Sequence, residues 1–271
     1  MTCPRWMTES PATCPRWMTE APGDLAALPA THSATLTRDE GRVHMFGRRN
    51  EGLPDADDAT AAPVRLRAVG VTKLIEDNVL LSATNVDVRS GKCVVLRGAN
   101  GSGKTTLLRI LAGTMDSSAG TVTLDGEPVD ERTPATRANV AALMGAPTAY
   151  RDLTLVDHLV LIDATWGRDG DASGRAAEML AMLEIEHLAE RFPHELSSGQ
   201  QQLFHLAMVL LRPARVLLLD EPEQRLDTHK RGLLTQILLD RKAAGTALVI
   251  ACHDPEMTSA IADRVVDVTG A

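Results

Sequence analysis

The chain has 271 residues, enough for one large domain or two small ones, and its 44% hydrophobic and 24% charged content is that of an ordinary globular protein. A net charge of −8 excludes a general attraction to nucleic acid or anionic lipid, and no nucleic-acid partner is expected. No apolar run approaches the roughly 18 residues of a spanning helix, and the start lacks the apolar centre of a secretory signal, which points to the cytosol.

Residues 1–63 differ from the rest. The octet that begins at Thr2 recurs at Thr13, and the stretch beyond the second copy is rich in Ala, Pro, Thr, Asp and Gly without apolar periodicity. Two copies of so short a unit cannot stack into a solenoid. The expectation is a disordered leader, which buries too little apolar area to offset chain entropy. An alternative has Cys3-Pro and Cys14-Pro binding haem or a metal, although no partner ligands flank them. Another places the working start of the protein downstream. Cys93 and Cys252 lie in apolar, strand-like runs and read as reduced core thiols.

From Val64 onward, strand and helix signals alternate, which predicts an α/β core with a mainly parallel sheet. Thr84–Val88 and Cys93–Arg97 read as strands joined by the turn Arg89–Lys92. Lys104–Ala112 reads as a helix stopped by Gly113. Gly120–Leu124, the turn Asp125-Gly126 and Glu127–Val129 make a hairpin. A helical stretch is expected from Leu155 to about Arg191, and Asp152–Phe192 contains no strand signal, so a separate helical lobe is placed at about 152–212. Gln200–Leu211 is a further helix, while Val216–Leu219 and Ala247–Ala251 suit strands buried on both faces.

Gly98-Ala99-Asn100-Gly101-Ser102-Gly103-Lys104-Thr105 fits G-x-x-x-x-G-K-[ST], between a predicted strand and a predicted helix, and Thr106 continues it. The glycines let successive amides converge on a phosphate, and the helix start adds its positive dipole end. Lys104 is expected to reach the β- and γ-phosphates of ATP and Thr105 to ligate Mg²⁺. Val216–Leu219 then carries Asp220 and Glu221 to the C-terminal end of a strand, where ligands bind in open α/β sheets. There Asp220 can hold Mg²⁺, and Glu221 can orient and deprotonate a water. Taken alone, the acids could also be a charged turn after a core strand, the lesser of the two readings.

Leu196-Ser197-Ser198-Gly199-Gln200 lies shortly before that strand, and His253 follows Val249-Ile-Ala-Cys252. With the P-loop and Asp220-Glu221, in this order and spacing, residues 64–271 resemble the ATP-binding-cassette (ABC) family, closest to compact bacterial transporter ATPases of the haem-exporter kind. The resemblance implies a P-loop NTPase core with an antiparallel β subdomain and a helical subdomain. It implies two cassettes, as a homodimer or heterodimer, sandwiching two ATP molecules. Ser197 and Gly199, with Ser198 and Gln200 around them, would meet the γ-phosphate on the other subunit's P-loop. His253 would touch the γ-phosphate of its own subunit, and Asp227 would cross the interface.

Four departures accompany the likeness. The family's glutamine between P-loop and signature is missing: no Gln occurs from Gly101 to Gly199, and register places its position at Gly145 or Ala146. No aromatic residue lies between Gly47 and Arg97 to stack on the adenine, and Ile75 takes that place. The signature has Ser198 where glycine is usual, followed by Gln201-Gln202-Leu203 in place of basic residues. Glu223-Gln-Arg225-Leu-Asp227 replaces the usual small residues before Leu-Asp, which puts Arg225 at or near the dimer interface.

The resulting expectation is the ATP-hydrolysing subunit of a membrane transporter, leaning to export. It would sit in the cytoplasm, on the inner membrane face, through a separate membrane-spanning partner. The alternatives are a soluble ABC ATPase and a regulatory subunit with weak hydrolysis; the lost glutamine supports the latter.

Overall fold

The computed structural model describes residues 36–39, 42–45, 63–76, 78–168 and 170–269. Strands β1 (Leu36–Asp39) and β2 (Arg42–Met45) pair as an antiparallel hairpin inside the segment expected to lack periodic structure. The repeated octets, with Cys3 and Cys14, lie outside the described residues.

The continuous fold starts at buried Val64, whose amide donates to Ser90 Oγ at 2.6 Å. Strands β3 (Arg65–Ile75) and β4 (Asn78–Arg89) follow, and then β5 (Cys93–Arg97) enters a second sheet. Helix α1 (Lys104–Leu111) leads to the hairpin β6 (Ala119–Leu124) and β7 (Glu127–Pro128). Helix α2 (Pro134–Asn139) runs straight into β8 (Val140–Leu143). The lobe holds α3 (Leu155–Thr165) and α4 (Ala172–Met182), before α5 (Ser198–Leu210) leads to β9 (Val216–Asp220). The chain continues through α6 (Thr228–Ala243), β10 (Ala247–Ala251), α7 (Pro255–Ile261) and β11 (Arg264–Asp267).

These strands form a four-stranded antiparallel sheet, β4-β3-β6-β7, and a five-stranded parallel sheet, β11-β5-β10-β9-β8. The central strands β5, β10 and β9 are apolar because both faces are covered, while the edge strand β11 is largely exposed. Val95, Leu217, Leu219, Leu248 and Ile250 pack toward the helical lobe. Their neighbours Val94, Leu96, Leu218, Val249 and Ala251 pack with α1 and the antiparallel sheet. Successive side chains thus serve two cores, as a period of two requires.

One expectation gains detail and one bound needs correction. The helical stretch from Leu155 to about Arg191 comprises two helices: α3 ends at Thr165, Gly167 takes φ +62°, and after α4 comes the short 3₁₀ turn Glu186–Leu188. Helix α5 starts two residues before Gln200, at Ser198, because Ser197 caps it.

The lobe is tied together by Asp163, whose side chain is fully buried. Arg175 binds both of its oxygens through Nε and Nη2, and Arg168 donates to Oδ1 at 3.2 Å and to the Leu211 carbonyl. Burial costs a carboxylate heavily unless it is paired, and here two guanidinium groups pair it.

Candidate functional site

Register assembles the site. Ala251 pairs with Leu96 on one side and with Asp220 on the other, so β5, β10 and β9 end level. The next residues are those of the P-loop after β5, Cys252-His253 after β10 and Glu221 after β9.

The P-loop turns into α1 through Gly103, the N-cap, at φ +95°. A Cβ there would lie 2.4 Å from the Leu80 carbonyl oxygen, so only glycine fits both the angle and the space. The buried Lys104 curls back and donates from Nζ to the carbonyls of Gly98 (2.8 Å) and Ala99 (3.0 Å). Ser102 closes the turn by donating its amide N–H to the Ala99 carbonyl at 3.1 Å. Asn100 and Gly101 form its exposed crest.

Thr105 Oγ1 donates to Asp220 Oδ2 at 2.6 Å, joining the helix start to the end of β9. Burial pushes the Asp220 carboxyl above its usual range, the Thr105 hydrogen bond opposes that, and neighbouring Glu221 adds to it. Asp220 Oδ1 is buried with no hydrogen-bond partner among the described residues. A hydroxyl and a carboxylate are hard oxygen donors, and this pair fits Mg²⁺. Among the described residues no cluster of three His, Cys, Asp or Glu could hold a metal unaided, so such an ion would be shared with the phosphates.

Glu221 sits in the left-handed region, at φ +49°, with its amide anchored on the Ala251 carbonyl at 2.8 Å. Its Oε1 lies 3.1 Å from His253 Nε2. The histidine side chain is 45% exposed and that of Glu221 23%, so the pair faces solvent at the mouth of the site. The His253 amide donates to Glu223 Oε1 at 2.8 Å. Burial first, and Glu223 second, push the Cys252 thiol up to about 12, and burial does the same to Cys93. Both cysteines are free and buried, as expected of core thiols.

Ser197 caps α5 reciprocally: its Oγ accepts from the Gln200 amide at 3.3 Å, and Gln200 Oε1 accepts from the Ser197 amide at 2.9 Å. The Ser197 hydroxyl proton remains free to donate. Ser198 and Gly199 form the first turn, where amides point outward. Asp227 is exposed and caps α6 through the Lys230 amide at 2.8 Å. Lys104, Thr105, Asp220, Glu221 and His253 therefore converge. Among the described residues no hydrogen bond links Ser197–Gln200 or Asp227 to that group.

The loop after β8 borders the acids, because Leu143 pairs with Leu219. Gly145 lies two residues further on, exposed, at φ +75°, with open space where a Cβ would be. The far end of this loop is held by buried His158, whose Nε2 accepts from the Tyr150 amide at 2.8 Å while Nδ1 meets the Thr154 carbonyl at 2.7 Å. Ile75, 49% exposed, stands with Leu74, Val79 and Leu80 at the tip of β3–β4, an aliphatic surface beside Gly103.

Sequence reasoning treated Glu223 only as a departure from small residues and passed over His158. An acid two positions after Glu221 could have raised the question of where its charge goes. No local pattern, however, points to an amide thirty residues downstream.

Comparison with known proteins agrees with this fold. Residues 81–224 match the family described as ABC transporter. The chain is 33% identical over 209 residues to the sulfate/thiosulfate import ATP-binding protein CysA 1 of Agrobacterium fabrum, covering 75% of this chain and 60% of that one. It is 31% identical over 243 residues to the hemin import ATP-binding protein HmuV of Rhodococcus jostii, covering 88% and 82%. It is 31% identical over 207 residues to the Nod factor export ATP-binding protein I of Burkholderia orbicola, covering 76% and 67%. The chain thus spans about 60% of the length of the sulfate/thiosulfate relative. A solved ATP-binding subunit of an ABC transporter shares the fold, with TM-score 0.68 at 24% identity over 75% of this chain and 85% of that one.

Proposed function

Because the chain belongs to the ABC transporter family, we propose that it binds and hydrolyses ATP as the cassette that drives a separate membrane-spanning subunit. One observation carries this reading: β5, β10 and β9 end level, which brings Lys104, Thr105, Asp220, Glu221 and His253 to one place. None of the four departures removes any of them.

The P-loop amides and Lys104 hold the β- and γ-phosphates, with Lys104 exchanging two backbone carbonyls for phosphate oxygens. Mg²⁺, held by Thr105 and Asp220, would neutralise phosphate charge. Glu221 accepts a proton from the attacking water as its oxygen bonds to the γ-phosphorus and the bridging bond to ADP breaks. His253 steadies both Glu221 and the γ-phosphate. Ser197, Gly199 and Asp227, which lie outside this group in their own chain, serve the partner cassette across a dimer. The protein then works on the cytoplasmic face of the membrane through its partner, where dimer closure and reopening move the partner's helices. Among the described residues no helix is long and apolar enough to cross a membrane.

The likeness to haem exporters supports export, while relatives named for import of sulfate/thiosulfate and hemin support the opposite direction. Cargo flux in vesicles reads the sign. One observation favours a second reading, a regulatory cassette with slow hydrolysis: Gly145 gives the loop beside Glu221 no side chain.

Glu221→Gln tests the leading reading. It keeps the size but cannot take the proton, so turnover falls by roughly 100-fold or more. ATP affinity stays within twofold, and size exclusion with ATP and Mg²⁺ shows a dimer. Unchanged turnover removes Glu221 from the mechanism.

A further inference from the structure

Glu223 is buried (7% exposed), and its Oε1 accepts the His253 amide at 2.8 Å. Its Oε2 is buried with no hydrogen-bond partner among the described residues. Leaving a buried carboxyl oxygen unmatched destabilises a fold, and a small residue here would avoid that cost. Packing alone therefore does not account for an acid at this position.

The turn that carries Glu223 is gripped on its other side by the signature helix. Gln202 Nε2 donates to the Pro222 carbonyl at 3.1 Å. A Cβ on Gly199 would lie 2.8 Å from the Arg225 carbonyl, so α5 sits directly against the turn. Arg225 itself is held at φ +64°. The contacts run from the first turns of α5, through Pro222–Arg225, to the His253 amide and on to the Glu221–His253 pair.

We propose that Glu223 is a positioning residue for hydrolysis: by holding the His253 amide it sets the imidazole against Glu221 and couples that pair to the seating of the signature helix. This rests on the assignment of Glu221 and His253 to the hydrolytic centre. The chemistry asked of Glu223 is only that of a hydrogen-bond acceptor, so an amide oxygen can stand in for it, while alanine cannot.

Steady-state ATP hydrolysis by the full chain across ATP concentrations tests the idea, with wild type, Glu223→Ala, Glu223→Gln and Glu221→Gln in parallel. Removing a hydrogen bond that positions a catalytic pair is expected to lower kcat roughly tenfold in Glu223→Ala. KM stays within twofold, and Glu223→Gln recovers most of the loss. Amide exchange at His253 quickens in the alanine variant and not in the glutamine one. Glu223→Thr, too short to reach the amide, gives the same comparison should the alanine variant not fold. The proposal is overturned if Glu223→Ala turns over like wild type, if glutamine is as slow as alanine, or if KM alone moves. Failure of the underlying assignment looks different: there Glu221→Gln keeps its turnover, or wild type shows none.

Discussion

The C-terminal edge of the parallel sheet and the helical lobe are held by different physics. At the edge, half-exposed side chains are aligned by single hydrogen bonds, Thr105 at the start of α1 to Asp220 at the end of β9 and His253 after β10 to Glu221. In the lobe, the fully buried Asp163 is bound by two arginines, and Leu159, Leu180, Leu183 and Phe204 are buried in an apolar core. On the proposed mechanism the edge carries Lys104, Thr105, Asp220, Glu221 and His253, and the Asp163 cluster of the lobe carries none of them. Substitutions should therefore separate the two.

The sharpest test of that separation is Asp163→Asn. An amide cannot balance two partly buried guanidinium groups, and breaking an ion pair whose carboxylate is fully buried costs about 3 kcal/mol. Urea unfolding should register that loss, while ATP affinity of the folded protein stays within threefold. A parallel fall in affinity would show that lobe and edge are one mechanical unit.

A smaller effect is expected at the opposite end of the same sheet. Burial alone would raise Asp263, but hydrogen bonds from Lys242, the Cys93 amide and Lys92 outweigh it and hold its carboxyl at about 2. This folded-state value lies below the ordinary 3.8, so the stabilisation is present above pH 3.8 and is lost as pH falls toward 2. The side chain is 30% exposed, and solvent screening reduces the worth of the contacts to about 1 kcal/mol. Asp263→Asn should lower stability by that amount at pH 7, leave turnover unchanged, and match wild type near pH 2. A stability difference that persists at pH 2 would assign the effect to shape rather than charge.

The smallest effect concerns the loop at the edge. Its backbone suits glycine: at φ +75° a glutamine at Gly145 is strained by about 1 kcal/mol, so Gly145→Gln should destabilise and give no gain in turnover. Exposed Ala146 has no such angle, and Ala146→Gln should raise turnover about threefold by returning a polar side chain beside the phosphates. Brisk wild-type hydrolysis that neither substitution improves would mean another group already does this work.

Much of the edge was legible from sequence because it is local. Cys93–Arg97 and Ala247–Ala251 are strands with the expected bounds, and α1 starts at Lys104 with Gly113 past its end at φ +74°. Glycine turns, helix caps and buried apolar runs are written within a few residues. Other elements were not legible. β8 is four residues long and follows α2 with no turn between them, so its apolar run reads as the end of a helix. β3 exposes Arg65 and Arg67 on one face and hides Leu66 and Ala68 on the other, and its bulges at Ala68–Val71 break that alternation. The grip of Glu223 on His253 depends on which strands are neighbours, a property of topology that no window of sequence contains.

Glu221 adds a consequence of its own. A left-handed backbone at a residue with a full side chain is strained by about 1–2 kcal/mol. Glycine, and to a lesser degree asparagine, would relieve that strain, so on the proposed mechanism these two replacements exchange turnover for a sturdier fold. Glutamine carries the same backbone penalty as glutamate, so it alters the proton chemistry without also relieving the backbone.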